Sequence, residues 1–173
     1  MKRYIFPLIV MASSAVLSGC VAMANAPLPE KTEVVEFPGV KQADIYANSK
    51  IWIAKAFKSA NNVIQYADKE QGSIVGKGAV DYPCADPNEC LATSGMVINF
   101  TMKIDTKDGK ARVTLSDYSL YKPTSTSLGV IIPASTSPVM TIPAQTATTK
   151  AMNDLIAQYK REAVNQDASN KNW

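Results

Sequence analysis

Histidine is absent from the 173 residues of the chain, and cysteine occurs only three times. Without histidine, the chain has neither a Ser-His-Asp nor a Cys-His nucleophile, and no histidine metal ligand. An excess of one sign of charge is also absent. Of 18 basic residues, Lys2 and Arg3 fall in a segment predicted below to be removed, leaving 16 against 15 acidic ones. We therefore expect no nucleic-acid partner, since phosphate binding needs a concentrated basic face. No cofactor is expected either.

The chain also lacks an apolar run long enough to span a bilayer at its N-terminus, where Tyr4 to Leu17 is the main apolar stretch. This stretch follows Met1-Lys2-Arg3 and ends in Leu17-Ser18-Gly19-Cys20. A positive start, a short apolar segment and small residues before a cleavage point are typical of an export signal. The tetrapeptide resembles the lipobox of bacterial lipoproteins.

This resemblance implies that residues 1–19 are a signal peptide and that Cys20 becomes the lipid-carrying first residue of the mature protein. The alternative is an ordinary secretory signal cleaved near Ala22-Met23-Ala24, with Cys20 not modified. By resemblance to enterobacterial sorting rules, Val21 after the cysteine favours the periplasmic face of the outer membrane. The expected location is thus the cell envelope, with the membrane as a partner through the lipid.

Removing the signal leaves about 150 residues, a length that normally forms one domain. Residues 20–31 contain two prolines and no periodicity, which predicts an extended lipidated tether of about 35 Å. Residues 32–165 are assigned to a single domain and residues 166–173 to a polar tail. Cys84 and Cys90 are close in sequence and flank Pro87-Asn88, so in an oxidising compartment they predict a disulfide across a tight turn.

Sequence periodicity predicts an α+β order for the domain. The predicted strands are 32–37, 62–67, 73–82, 95–105 and 110–121, and the predicted helices are 41–59 and 149–164. Met96, Ile98, Phe100, Met102 and Ile104 alternate with more polar residues, which is typical of a sheet with one buried face. The expected fold is a two-layer sandwich in which two helices cover one face of an antiparallel sheet of four to five strands. The helical Trp52 and Phe57 are interpreted as core residues, with a pocket lining as the alternative.

Residues 122–148 are rich in proline, serine and threonine, which predicts a long loop or a loose edge hairpin. They also keep two apolar patches, Val130-Ile131-Ile132 and Val139-Met140. If these patches are exposed, they are candidate partner-binding residues. The alternative is that they fold back to cover the sheet or its edge.

A family resemblance rests on the run from Pro38-Gly39 to Tyr46, on Trp52-Ile53 and Phe57, and on the run from Asp68 to Gly78. These motifs resemble a bacterial family of domains of unknown function assigned a TBP-like fold, that of the TATA-box-binding protein. The resemblance spans roughly Glu33 to Tyr121. It implies the architecture β-α-β4-α in secreted or lipidated proteins. The family supplies no catalytic residues, and the name of the fold does not indicate DNA binding.

Paired carboxylates are the remaining catalytic option. The candidates are Asp68, Glu70, Asp81, Asp86, Glu89, Asp105, Asp108 and Asp117. Most of them fall in predicted turns, where a backbone role is expected, and only Asp117 falls well inside a strand. The spacing of Gly72, Gly76 and Gly78 lacks the helix and ending of a phosphate loop, so it indicates close strand packing. The sequence thus predicts a non-catalytic envelope lipoprotein that binds another envelope component. The alternative is a small periplasmic hydrolase or enzyme inhibitor acting through acidic loops.

Overall fold

The computed structural model describes residues 22–57, 63–127 and 129–170; of residues 127 and 164–170 it describes only the backbone. Cys20 and the predicted signal peptide lie outside the described residues. The described chain runs, in order, through β1 Lys31–Glu36, α1 Gln42–Ala56, β2 Ile64–Asp68, β3 Ser73–Asp81, α2 Pro87–Ala92, β4 Val97–Lys107, β5 Lys110–Lys122, β6 Ser125–Ser127, β7 Val130–Ile132, β8 Ser135–Pro138 and α3 Ile142–Asn170.

The main sheet is antiparallel and has the order β1-β5-β4-β3-β2. Two strands share the outer side of β5: β1 pairs with residues 110–115, and β8 pairs with residues 119–122. Between them, β5 is interrupted by a bulge opposite Phe100, where Asp117 takes φ 53°. Strands β6 and β7 form a separate two-stranded sheet. The predicted meander of β2 to β5 is confirmed, and so is the α+β class.

The core lies between the sheet and the two long helices, α1 and α3. Alternation along β4 buries Ile98, Phe100, Met102 and Ile104, as predicted. Helix α1 contributes Trp52 and Ile53, and Phe57 directly after it is buried too, so both aromatic residues assigned to the core are there. The apolar face predicted for the last helix is buried as well: Met152, Leu155, Ile156, Tyr159 and Ala163.

A polar bond joins the two helices inside this core. The Ser49 hydroxyl donates to the Ile45 carbonyl at 2.7 Å, so the Tyr159 hydroxyl, also at 2.7 Å from Ser49 Oγ, donates to Ser49. Burial raises the pKa of Tyr159 to about 12. Tyr159 also packs edge-on against Trp52, with 5.0 Å between ring centroids. Helices α1 and α3 are thus joined by the packing of Trp52 against Tyr159 and by the hydrogen bond between the Ser49 and Tyr159 hydroxyls.

Three sequence predictions about local structure were wrong. The last helix begins at Ile142 instead of Thr149, because proline is tolerated in a first helical turn and Pro143 occupies that place. It continues to Asn170, so residues 166–170 of the predicted tail are helical. The turn expected between the cysteines is the short helix α2, with Pro87 at its start and Asp86 accepting from the backbone N–H groups of Asn88 and Glu89.

Close strand packing explains two glycines of the β3 motif. A Cβ on Gly78 would lie 2.5 Å from the Phe100 ring, and one on Gly76 would lie 2.4 Å from the Val63 carbonyl. The β2–β3 pairing also shifts register between Ile64 and Tyr66. The structural interpretation of the glycine spacing is therefore confirmed.

Candidate functional site

The apolar patch Val130-Ile131-Ile132 forms strand β7 of the small hairpin. Pairing joins Ser125 to Ile132 and Thr126 to Ile131, and Gly129 takes φ 78° in the turn. The exposed fractions of the three β7 residues are 65%, 71% and 41%. Successive side chains of a strand point to opposite faces, so three exposed in a row mean that neither face of the hairpin is covered by the described residues. The long segment is therefore part hairpin, as one of its two interpretations predicted.

The second apolar patch behaves differently from the first. Val139 is 3% exposed and Met140 is half-buried. Val139 is therefore no candidate for partner binding, and the prediction that placed it there was wrong. The reason is tertiary: Pro138 pairs with Ser119 of β5, and the Met140 carbonyl accepts from the backbone N–H of Ala24 at 2.8 Å, so this stretch is held against the domain.

The hairpin shares one end of the main sheet with the disulfide loop. Strand β3 ends, β4 begins and β5 ends there, since Val97 pairs with both Asp81 and Tyr121. The segment that follows the disulfide loop and the segment that precedes the hairpin lie close together at Gly95 and Pro123. A Cβ added to Gly95 would lie 3.0 Å from the Pro123 side chain. Leu91 in α2 and Tyr121 at the end of β5 are exposed at this end as well. Sequence reasoning missed Leu91: the Asp-Pro helix start before it is a readable signal, but the exposure of the leucine is not.

The predicted disulfide is confirmed. Cys84 and Cys90 are bonded, with their Cα atoms 5.0 Å apart. The loop is braced further by Glu89, whose carboxylate accepts from the Ala85 N–H at 2.7 Å. The cross-link and the cap of α2 together hold the loop in one shape.

Several candidate carboxylates have backbone roles at turns and helix starts. Asp68 accepts from the N–H groups of Glu70 and Gln71, each at 2.9 Å, and from the Tyr66 hydroxyl. These bonds, the Gln71 N–H foremost, lower the pKa of Asp68. Asp108 accepts from the N–H of Gln42 at 2.8 Å and so caps α1 from another part of the chain. Both groups are thus occupied in holding the fold.

Asp105 lies on the face of the sheet that the helices leave open. Burial alone would raise its pKa, but hydrogen bonds from Arg112 (2.7 Å), Lys103 and Ser73 (3.0 Å) outweigh burial and lower it. An acid used in glycoside hydrolysis needs a raised pKa instead. Asp117, in the β5 bulge, has its carboxylate 3.3 Å from the Ser116 hydroxyl.

A surface cavity of about 1090 Å³ lies around the second half of β3, beyond the end of β2. Its polar lining comes from the open sheet face, including Lys77, Asn99 and Asp117, and its apolar lining includes Phe57 and Phe100. Phe57 and Val63 flank residues 58–62, which are not described. No group of three or more metal-ligating side chains occurs among the described residues.

Residues 22–30, predicted to be an extended tether, pack against the domain instead. Met23 forms a β-bridge with Thr141, and the Ile142 N–H donates to the Ala22 carbonyl at 3.0 Å. The Gln145 side-chain amide donates to the Ala26 carbonyl at 2.7 Å. We call this the anchor seat, defined as residues 22–28 with residues 140–145. Within the described part of the chain, no helix is long and apolar enough to cross a membrane.

Comparison with known proteins identifies the domain. Residues 32–121 match the model of a family described as a domain of unknown function (DUF4468) with TBP-like fold. No curated protein matches the chain.

Two crystal structures of bacterial proteins share the fold. A TBP-like protein from Parabacteroides distasonis aligns with a TM-score of 0.60 at 18% identity, covering 84% of this chain and 98% of that one. A DUF4468 family protein from Bacteroides ovatus aligns with a TM-score of 0.54 at 15% identity, covering 78% and 85%. The shared fold therefore extends beyond the residues that the family model matches, and the resemblance stated from the sequence is confirmed. The chain belongs to the DUF4468 family of domains of unknown function with a TBP-like fold.

Proposed function

We propose that the chain is a non-catalytic envelope lipoprotein that is anchored through Cys20 and binds another envelope protein through the β6–β7 hairpin. The observation that carries the proposal is the exposure of Val130, Ile131 and Ile132 on both faces of a two-stranded sheet. A two-stranded sheet is at best marginally stable alone in water, and an exposed apolar strand favours association. A protein partner that covers the hairpin would remove this apolar surface from water.

The carboxylates support a binding role over a catalytic one. Asp86, Glu89 and Asp108 accept backbone N–H groups, and the pKa values of Asp68 and Asp105 are lowered. A general acid near neutral pH needs a raised pKa and access to a substrate. The hydrolase alternative has no comparable support among the described residues.

The anchor is tested by metabolic labelling with a fatty-acid analogue. The native chain should carry the label, and Cys20→Ala should lose it entirely, because the two other cysteines are joined to each other. Label that persists on the Cys20→Ala variant would contradict the anchor.

The binding site is tested by capture from envelopes of native cells. Ile131→Ser with Ile132→Ser should abolish partner capture while the melting temperature stays close to that of the native chain, since exposed residues contribute little to folding. Val34→Ser, at an exposed apolar position on the open sheet face, is the matched control and should keep full capture. A large loss of stability in the hairpin variant would show that the hairpin is scaffold. Equal loss of capture in the control would remove the hairpin's special role.

A further inference from the structure

The short sequence distance between Cys20 and the residues that are bonded to the domain constrains how the domain sits on a membrane. Ala22 is held by the Ile142 N–H, and only Val21 separates it from Cys20. Two residues at full extension reach about 7 Å. A bilayer has a hydrocarbon core of about 30 Å within a total of about 40–45 Å, so each headgroup layer is about 5–8 Å thick. A lipid on Cys20 therefore places Ala22 within or beside the headgroups.

The anchor seat is fixed to the domain by backbone and side-chain hydrogen bonds. Backbone bonds join Ala24 to Met140 (2.8 Å) and Ile142 to Ala22 (3.0 Å), and the Gln145 side chain bonds the Ala26 carbonyl (2.7 Å). Leu28, further along, lines a surface cavity together with Ile142 and Gln145 of α3. Whatever holds Cys20 thus lies within two residues of a segment that is bonded to the start of α3.

The surface of the seat suits a lipid environment. Met23 and Ile142 are 61% and 51% exposed, and Pro143 beside them is exposed too. No charged residue occurs between Cys20 and Pro29 or between Pro123 and Thr149. The seat itself, residues 22–28 and 140–145, carries no charged side chain, so it enters the headgroup region without the cost of burying an ion.

We propose that the lipidated domain rests directly on the bilayer through the anchor seat, with Met23 and Ile142 in the headgroup region. This inference rests on the proposed lipid anchor and adds to it a fixed contact face. The occupant of the seat is the lipid surface itself, because the covalent continuity with Cys20 brings no other partner as close. The predicted 35 Å tether is replaced by a contact of the domain with the membrane.

Tryptophan quenching by brominated lipid tests this contact. The background is the full lipidated chain with Trp173→Phe; the remaining Trp52 is buried in the core. Met23→Trp and Ile142→Trp are two independent probes at exposed positions. Tyr66→Trp is the control on β2, at the opposite edge of the sheet. Four strand spacings separate that edge from β1 and β8, or about 19 Å.

In vesicles of dibrominated phosphatidylcholine, the probes at positions 23 and 142 should lose most of their added fluorescence relative to unbrominated vesicles. The probe at position 66 should keep it. Mass spectrometry of the same samples reports whether Cys20 is acylated. An acylated chain whose seat probes are not quenched, or are quenched no more than the control, would overturn the contact face and leave the anchor standing. A chain without acyl groups on Cys20 would overturn both.

Discussion

Two stretches of this chain look alike in sequence and behave differently in the structure. The β6–β7 hairpin and the Pro138–Met140 stretch both belong to one uncharged, proline-containing segment, and each contains a run of apolar residues. Val139 is buried, whereas Ile131 is 71% exposed. The difference comes from residues far away in sequence: Met23 and Ala24 pair with Thr141 and Met140, and β8 pairs with β5, while no described element covers the hairpin. Exposure of an apolar loop residue is thus decided by long-range pairing.

The largest expected effect contrasts the two stretches directly. Val139→Asp should lower the free energy of unfolding by about 3 kcal/mol, because it buries an unpaired charge. Ile131→Asp should change it by less than about 0.5 kcal/mol, because the charge stays in water. Urea unfolding of both variants measures the difference. Similar losses in the two variants would show that the hairpin packs on the domain, and the two stretches would then not differ in burial.

The second effect concerns the part of α3 that packs in the core, where Tyr159 lies, and not its first turns at the anchor seat. Tyr159 has a pKa of about 12 in the folded chain and about 10 when unfolded, so the unfolded state releases its proton first as pH rises. Its contribution to stability is complete below pH 10 and is lost as pH rises through about 12, by roughly 2 to 3 kcal/mol in total. Unfolding measured from pH 9 to 12 should show a steeper fall for the native chain than for Tyr159→Phe. Parallel curves would mean that this hydroxyl is not the group that titrates.

The third effect concerns the disulfide loop beside the hairpin. Replacing Cys84 and Cys90 by serine should lower the free energy of unfolding by about 2 kcal/mol, the value that chain entropy gives for so short a loop. Partner capture through the hairpin should not change, because the cross-link is expected to be structural. Thermal melts and capture assays on the same variant separate the two outcomes. Loss of capture at intact stability would assign the loop to the binding surface.

The smallest effect tests whether the anchor seat is held as described. Gln145→Ala removes the side-chain bonds to the Ala26 carbonyl (2.7 Å) and to the Val139 carbonyl (3.3 Å) and should cost about 1 kcal/mol. Gln158→Ala is the matched control on the same helix, where the side chain bonds only the exposed Glu162. The control should cost a few tenths of a kcal/mol. Equal values, from denaturant unfolding at one protein concentration, would mean that residues 22–28 are not held by this bond.

Sequence reasoning succeeded where local pattern and burial agree. The alternation of β4, the hairpin turns at Gly72 and Gly109 and the apolar face of the last helix each follow from neighbours within a few residues. It failed at prolines with two possible meanings. Pro143 was interpreted as a loop residue, although proline is also favoured at a helix start, and Pro87 follows the same rule after the capping Asp86. Both positions carried a readable helix-start signal.

The candidate site was only half predictable for a different reason. The apolar patches were visible in the sequence, but their exposure was not, since Val139 is covered through pairs made by residues such as Ala24. The anchor seat was missed because residues 22–30 have no strand periodicity of their own. Their single β-bridge, between Met23 and Thr141, depends on a partner at the other end of the chain.

Photo-crosslinking in native envelopes tests the binding claim most directly. A crosslinking amino acid at position 131 on the hairpin is compared with the same residue at position 34, an exposed apolar position on the open sheet face. One discrete crosslinked product, heavier than the chain and different from its dimer, is expected at position 131 and none at position 34. No product at position 131, or the same products at both positions, would contradict the assignment of the hairpin as the site that binds an envelope protein.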